Sequence, residues 1–292
     1  MSGSADPGRR RKLTVPARAR PRLVALALFG LLIGLAPAAA DELVRFPSAG
    51  QGDEVQGYLT RPKGRGPFPA VVLLHTCLGL PRERASIGER IAGWGYAALF
   101  VDDFGTRGLK ETCAVDFQPA LADAYGALAF LSRLSDVDSA RIAVVGFSQG
   151  GDTALKIAAG GGARGGASFR VAAAFYPPCA NVGDARLTIP TLIFVGAGDD
   201  VTPAADCARL AKDQAPGVAK LVVYPGAAHA FDLPEFGAGA KIDGMTLAYD
   251  RNAASRSWAE LRAFLAARLA RPPPRGDRRR PCLRHNPDRS SC

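Results

Sequence analysis

The chain has 292 residues, 48% of them hydrophobic, which suits one large α/β domain. Its formal net charge of +10 is concentrated at the two ends: residues 1–40 carry +6 and residues 271–292 carry +5, so residues 41–270 carry −1. The predicted folded part therefore lacks the basic field that binds polyanions, and we expect no nucleic-acid partner.

Residues 1–40 have the layout of a signal peptide. Basic residues between Arg9 and Arg22 precede an apolar run of 13 residues, Leu23–Leu35, and an Ala-x-Ala cleavage site ends at Ala40. The run is short beside the roughly 20 residues that a membrane span requires. We expect cleavage after Ala40, export to the periplasm or the medium, and no stable membrane span afterwards; an uncleaved N-terminal anchor is the alternative.

The elements predicted for residues 41–270 alternate between strands and helices. Segments 43–46 and 54–59 read as an antiparallel pair at the edge of a sheet. Continuous apolar runs predict buried strands at 70–74, 96–101, 142–145, 171–176, 191–195 and 221–224. Helices are predicted at 82–93, 119–134, 206–214 and 252–270, and directly after residue 148.

This order favours an α/β fold, a mostly parallel doubly wound sheet with an antiparallel N-terminal edge. Residues 41–270 form the predicted domain, and the Arg- and Pro-rich residues 271–292 read as a disordered tail. Residues 231–249 are the one extended loop near the end of the predicted sheet that could cover a site.

The pattern G-x-S-x-G occupies Gly146–Gly150, between a β-branched strand and a predicted helix. In this context the pattern is a nucleophile elbow, which exposes the hydroxyl of Ser148 at a sharp turn. The backbone N–H of Gln149, at the start of the helix, can face a developing oxyanion. An ordinary glycine-rich turn is the alternative.

A serine hydroxyl needs a base, and His229 lies on a Gly/Ala-rich loop directly after the predicted strand 221–224. Asp199 and Asp200 follow the strand 191–195, and either could orient the imidazole. The chain order of serine, aspartate and histidine is the one expected for α/β-hydrolases.

The second oxyanion donor should come from the loop after the strand 70–74, where the N–H of Cys77 is the best candidate. His75 opens this loop and is interpreted as structural, since a triad needs one base. No ligand spacing for a metal is present, and we expect neither a metal nor another cofactor.

Four motifs resemble the dienelactone hydrolase family of α/β-hydrolases. They are G-F-S-Q-G-G at the elbow, F-V-G-A-G-D-D-V-T-P before the acid, Y-P-G-A-A-H-A-F-D around the histidine and V-D-D-F-G-T-R-G at residues 101–108. The resemblance runs from about residue 44 to 267. It implies that Asp199, four residues before Pro203, is the acid, and that Cys77 stands at the oxyanion N–H.

Two departures bear on the chemistry that the resemblance implies. The best-known members have a cysteine where this chain has Ser148, and a glutamate where it has Thr76. A serine-esterase mechanism, cleaving carboxylic esters or lactones through an acyl-enzyme, is therefore favoured over the thiolate chemistry of those members. The alternatives are a peptidase or other acyl hydrolase on this fold, and a non-catalytic binding module.

Two residues on the loop after the predicted strand 96–101 are candidates for contacts beyond the triad. Phe104 and Arg107 could contact an aromatic or anionic substrate, or could belong to a surface loop. Exported members of the family have similar cysteines, which implies the bridges Cys77–Cys113 and Cys179–Cys207. The expected partner is a small ester or lactone, and the expected state is a monomer.

Overall fold

The structure is a computed structural model that describes residues 41–271 except 51, 116, 162–166 and 243. The predicted signal peptide and the tail beyond residue 271 lie outside the described residues. None of the helices in the described ranges combines the length and hydrophobicity of a transmembrane segment.

The described residues form ten strands and five α-helices, with short 3-10 turns at 105–107, 179–181 and 234–236. The strands are β1 (Glu42–Pro47), β2 (Glu54–Thr60), β3 (Phe68–Leu74), β4 (Ala97–Asp102), β5 (Val137–Phe147), β6 (Val171–Phe175), β7 (Thr191–Gly196), β8 (Ala219–Tyr224), β9 (Ala240–Ile242) and β10 (Met245–Leu247). The helices are α1 (Arg84–Gly93), α2 (Ala120–Ser132), α3 (Gln149–Ala158), α4 (Ala204–Lys212) and α5 (Arg251–Arg268).

Eight strands form one mixed sheet in the order β1-β2-β4-β3-β5-β6-β7-β8. Strands β1 and β2 are antiparallel to each other, and β2 is antiparallel to β4. Strands β3 to β8 are parallel. The predicted parallel sheet with an antiparallel N-terminal edge is confirmed.

Both faces of the sheet are covered by helices, as continuous apolar strands require. Residues of one face, such as Val145 and Phe175, pack with Ile91 of α1 and Leu261 of α5. Residues of the other face pack with α2, α3 and α4. Because strands β3 and β5 to β8 run the same way, the loops after their carboxyl ends lie on one edge.

A short hairpin of β9 and β10, which was not predicted, lies inside the extended loop 231–249. Leu247 of this hairpin forms a β-bridge with His229. The loop is therefore fastened beside the predicted histidine.

Candidate active site

The turn between β5 and α3 holds Ser148 in a backbone conformation that L-residues rarely adopt. Its φ is 51° and its ψ is −112°, outside the usual allowed regions. The turn is so tight that a Cβ added to Gly146 would lie 1.9 Å from the carbonyl oxygen of Gly150. Glycine is therefore required there, and the serine side chain is presented at the tip of the turn.

The structure brings Ser148, His229 and Asp199 together. The Ser148 hydroxyl lies 2.9 Å from His229 Nε2, and His229 Nδ1 donates to Asp199 Oδ2 at 2.8 Å. His229 is 3% exposed and Asp199 is 7% exposed. The three side chains form an unbroken hydrogen-bonded series from a half-buried hydroxyl to a buried carboxylate.

The carboxylate of Asp199 is held by further donors from the loop that follows it. Asp199 Oδ1 accepts from the N–H groups of Val201 and Thr202 at 2.9 and 2.8 Å, and the Thr202 hydroxyl donates to Oδ2 at 2.8 Å. Burial by itself raises the pKa of Asp199, but the bonds and charge of His229 and the bonds from Thr202 outweigh it and lower the pKa. The group is therefore a carboxylate at neutral pH.

The neighbouring Asp200 points elsewhere. Its carboxylate accepts from the N–H and the hydroxyl of Thr246, at 3.1 and 2.7 Å. Asp200 thus anchors the β9–β10 hairpin. It is the residue that the sequence left open as an alternative acid, and its carboxylate is engaged away from His229.

The loop that carries His229 approaches the end of β7 closely. A Cβ added to Gly196 would lie 2.0 Å from the carbonyl oxygen of Ala227, so only glycine lets the two segments meet. The His229 ring packs on the buried ring of Tyr176, with centroids 4.6 Å apart, and the Tyr176 hydroxyl donates to Asp232 at 2.7 Å. The imidazole is therefore held by a ring contact as well as by its two hydrogen bonds.

The two predicted oxyanion donors lie beside the serine. Cys77 and Gln149 line the same cavity as Ser148. The N–H of Gly150 donates to the carbonyl of His75 at 3.1 Å, which ties the two backbone segments together. Within the described ranges, no acceptor engages the N–H of Cys77 or of Gln149, so both remain available to a ligand.

The cavity at Ser148 has a volume of about 540 Å³. Its walls include the apolar side chains of Val115, Pro178, Val201 and Met245. An ion pair between Lys156 and Asp152, with Nζ 2.8 Å from Oδ2, adds the charged part of the lining.

Three other residues singled out in the sequence lie outside this lining. His75 is buried, its Nδ1 donates to the carbonyl of Thr76 at 2.7 Å, and burial lowers its pKa. The Phe104 ring packs against the His75 ring, with centroids 4.5 Å apart. Arg107 makes two hydrogen bonds to the buried Asp123, at 2.7 and 3.1 Å. Phe104 and Arg107 thus have structural partners, and the structure does not bring them to the cavity as substrate contacts.

Both disulfides implied by the family resemblance are present: Cys77–Cys113 and Cys179–Cys207. Thr202 and Tyr176, which contact the acid and the imidazole, are not among the residues predicted from the sequence. Thr202 could have been noticed, since it stands three residues after Asp199 in the acid motif; Tyr176 left no comparable signal.

A serine, a histidine and an aspartate joined in this way at one edge of a mostly parallel sheet define an α/β-hydrolase fold. The model of the dienelactone hydrolase family matches residues 55–269, and the chain belongs to that family.

Two curated relatives match part of the chain at 28% identity. Cutinase 1 of Thermobifida cellulosilytica is 28% identical over 153 residues, which are 52% of this chain and 56% of the cutinase. The cutinase of Thermobifida fusca is also 28% identical over 153 residues, 49% of its length. This chain thus spans about half the length of these relatives.

Solved structures share the fold. The crystal structure of a dienelactone hydrolase-like promiscuous phosphotriesterase from metagenomic libraries has a TM-score of 0.63 and 23% identity. The match covers 79% of this chain and 100% of that one.

Proposed function

We propose that the chain is an exported serine hydrolase that cleaves small carboxylic esters or lactones through an acyl-enzyme. The observation that carries the proposal is the hydrogen-bonded series from Ser148 through His229 to Asp199, at 2.9 and 2.8 Å. Membership of the dienelactone hydrolase family supports it.

In acylation, the Ser148 oxygen bonds to the acyl carbon while His229 Nε2 takes the hydroxyl proton. The carbonyl electron pair moves to the oxygen, where the N–H groups of Cys77 and Gln149 stabilise it. Asp199 accepts from Nδ1 and stabilises the imidazolium. When the tetrahedral intermediate collapses, the bond to the alcohol oxygen breaks and His229 gives that oxygen its proton.

In deacylation, His229 takes a proton from water, and the resulting hydroxide equivalent attacks the acyl carbon. Collapse releases the carboxylic acid and returns the proton to Ser148. Water is the only co-reactant, and the serine, histidine and aspartate end in their starting states.

The cavity supports a small substrate, and the disulfides support export of the protein. A cavity of about 540 Å³ lies in the range that holds small molecules, and its apolar walls suit a short acyl or alkyl group. The two disulfides support export, because such bonds form in oxidising compartments. The expected monomeric state stays a prediction.

The test is hydrolysis of short-chain p-nitrophenyl esters by the full-length chain, together with labelling by a fluorophosphonate. Ser148→Ala should abolish both, while Ser132→Ala, a serine on α2 bonded to the carbonyl of Leu128, should leave both intact. Ester hydrolysis that persists in Ser148→Ala would contradict the mechanism.

The same assays separate the alternatives. A panel of esters, lactones and peptides distinguishes an esterase from a peptidase or another acyl hydrolase. A folded protein that neither hydrolyses nor becomes labelled would instead be a binding module.

A further inference from the structure

One buried polar side chain stands out in the segment that runs from β4 towards α2. Thr112 is 4% exposed, whereas its neighbours Lys110, Glu111 and Val115 are exposed. A threonine that is buried in an otherwise exposed segment has to satisfy its hydroxyl within the protein. Its partners lie in the two segments beside Ser148.

Thr112 connects these two segments with two different groups. Its backbone N–H donates to the carbonyl of Cys77 at 2.9 Å. Its hydroxyl donates to the side-chain carbonyl of Gln149 at 3.0 Å. Cys77 and Gln149 are the two predicted oxyanion donors and both line the cavity, so Thr112 is hydrogen-bonded to both residues of the pair.

A covalent bond holds Thr112 in this place. The next residue, Cys113, forms a disulfide with Cys77, and both cysteines line the cavity. The disulfide thus fixes the segment around Thr112 to the Cys77 loop, and the Thr112 hydroxyl connects this segment to Gln149 through its hydrogen bond.

We infer that Thr112 is a positioning residue for the oxyanion hole, setting the spacing between the N–H groups of Cys77 and Gln149, with the Cys77–Cys113 bridge holding it in register. The inference rests on the proposed serine-hydrolase function. A donor that is displaced by a few tenths of an ångström still binds the ground-state carbonyl but stabilises the developing oxyanion less.

The variant Thr112→Val removes the hydroxyl and keeps both the shape and the backbone N–H. Removing a whole oxyanion donor costs about 10²- to 10³-fold in kcat, so displacing one should cost about tenfold, with KM little changed. Thr112→Ser retains the hydroxyl and should stay within about threefold of the wild type. Thr191→Val is the matched control, because Thr191 is also buried, its hydroxyl donates to the carbonyl of Ile189, and it stands at the first residue of β7, at the other end of that strand from the Asp199 loop.

A pair of substrates separates oxyanion stabilisation from a general structural effect. A p-nitrophenyl ester develops charge on oxygen, whereas the matching thionoester develops it on sulfur, which accepts hydrogen bonds weakly. Thr112→Val should lower the ester-to-thionoester ratio of kcat/KM by about tenfold. An unchanged ratio would overturn the inference even if both rates fell.

The bridge is tested by the double variant C77S/C113S, measured in the full-length chain. It should lower the same ratio, and adding Thr112→Val to it should lower the ratio by less than Thr112→Val does alone. Independent, multiplying effects would contradict a shared role. Fluorophosphonate labelling of Ser148 in every variant keeps the two hypotheses apart: a wild type that is neither labelled nor active would refute the proposed function, whereas labelled variants with an unchanged ratio would refute only the positioning role.

Discussion

The buried carboxyl group of Asp232 should make the stability of the protein depend on pH. Asp232 lies three residues after His229 and is 5% exposed. Tyr176 donates to Oδ1 at 2.7 Å, while Oδ2 has no hydrogen-bond donor among the described residues. Burial raises the pKa of Asp232 from 3.8 to about 6, against the bond from Tyr176 and the charge of Arg90, with Glu83 adding to the rise.

The direction of the effect follows from proton binding. Because the pKa of Asp232 is higher in the folded state, the folded protein binds the carboxyl proton more tightly than the unfolded chain does. The stability that this proton contributes is fully present below pH about 4 and is lost as the pH rises through about 6. The difference between 3.8 and about 6 corresponds to roughly 3 kcal/mol, at ~1.4 kcal/mol per pH unit.

The variant Asp232→Asn removes this titration and keeps the acceptor for the Tyr176 hydroxyl. The free energy of unfolding of the variant minus that of the wild type should increase by up to roughly 3 kcal/mol between pH 4 and pH 7, and should then stay constant. Urea unfolding at a series of pH values measures this difference. Asp184→Asn, at an exposed carboxylate, reports how much comes from the loss of a surface charge.

A difference between Asp232→Asn and the wild type that does not change from pH 4 to pH 7 would show that burial does not govern this carboxyl group. A difference that changes in the opposite direction would show that the folded state favours the carboxylate.

Three further predictions concern the acid and the buried ion pair. Asp199→Asn should lower kcat by about 10³-fold or more, because an amide cannot stabilise the imidazolium, whereas Asp200→Asn should change kcat by less than about threefold; steady-state ester hydrolysis compares them. Thr202→Val removes the hydroxyl that donates to Asp199 Oδ2, so the carboxylate stabilises the imidazolium of His229 more strongly. The acid limb of the pH profile of kcat/KM should therefore move to higher pH by about 0.5–1 unit, whereas Thr202→Ser should leave it in place. Arg107→Met removes the partner of the buried Asp123 and should lower the free energy of unfolding by about 3–5 kcal/mol, while kcat of the folded protein stays unchanged. Chemical unfolding measures the first quantity, and ester hydrolysis corrected by active-site titration measures the second. A large loss of kcat would instead indicate that Arg107 acts in the active site.

The sheet could be predicted because burial on both faces leaves a simple signal. The run 70–74 has no polar residue, and the strand β3 that contains it is buried over its last five residues. The elbow could be predicted for a related reason, since the close approach at Gly146 permits no side chain. Both features are local, and local sequence specifies them.

The hairpin of β9 and β10 could not be predicted in this way. Its strands have three residues each, too few for a periodic pattern. Its position depends on Asp200, which accepts from Thr246, and on the carbonyl of His229, which accepts from the N–H of Ala248. The bonds between Asp200 and Thr246 also keep that carboxylate from serving as the acid. The hairpin and the choice between Asp199 and Asp200 therefore could not be predicted for the same reason, since both depend on contacts between residues far apart in sequence.

Strain at the site sets a further limit on local prediction. Ser148, Tyr176 and Ala230 are the non-glycine residues of the described chain with positive φ, at 51°, 39° and 57°. The first carries the proposed nucleophile, the second packs on the imidazole, and the third follows His229 directly. Each conformation is unfavourable for an L-residue and persists only where surrounding contacts impose it. The backbone of the site is therefore determined by the assembled sheet and its loops, which explains why the residue types of the triad could be read from sequence while the contacts of Tyr176 and Thr202 could not.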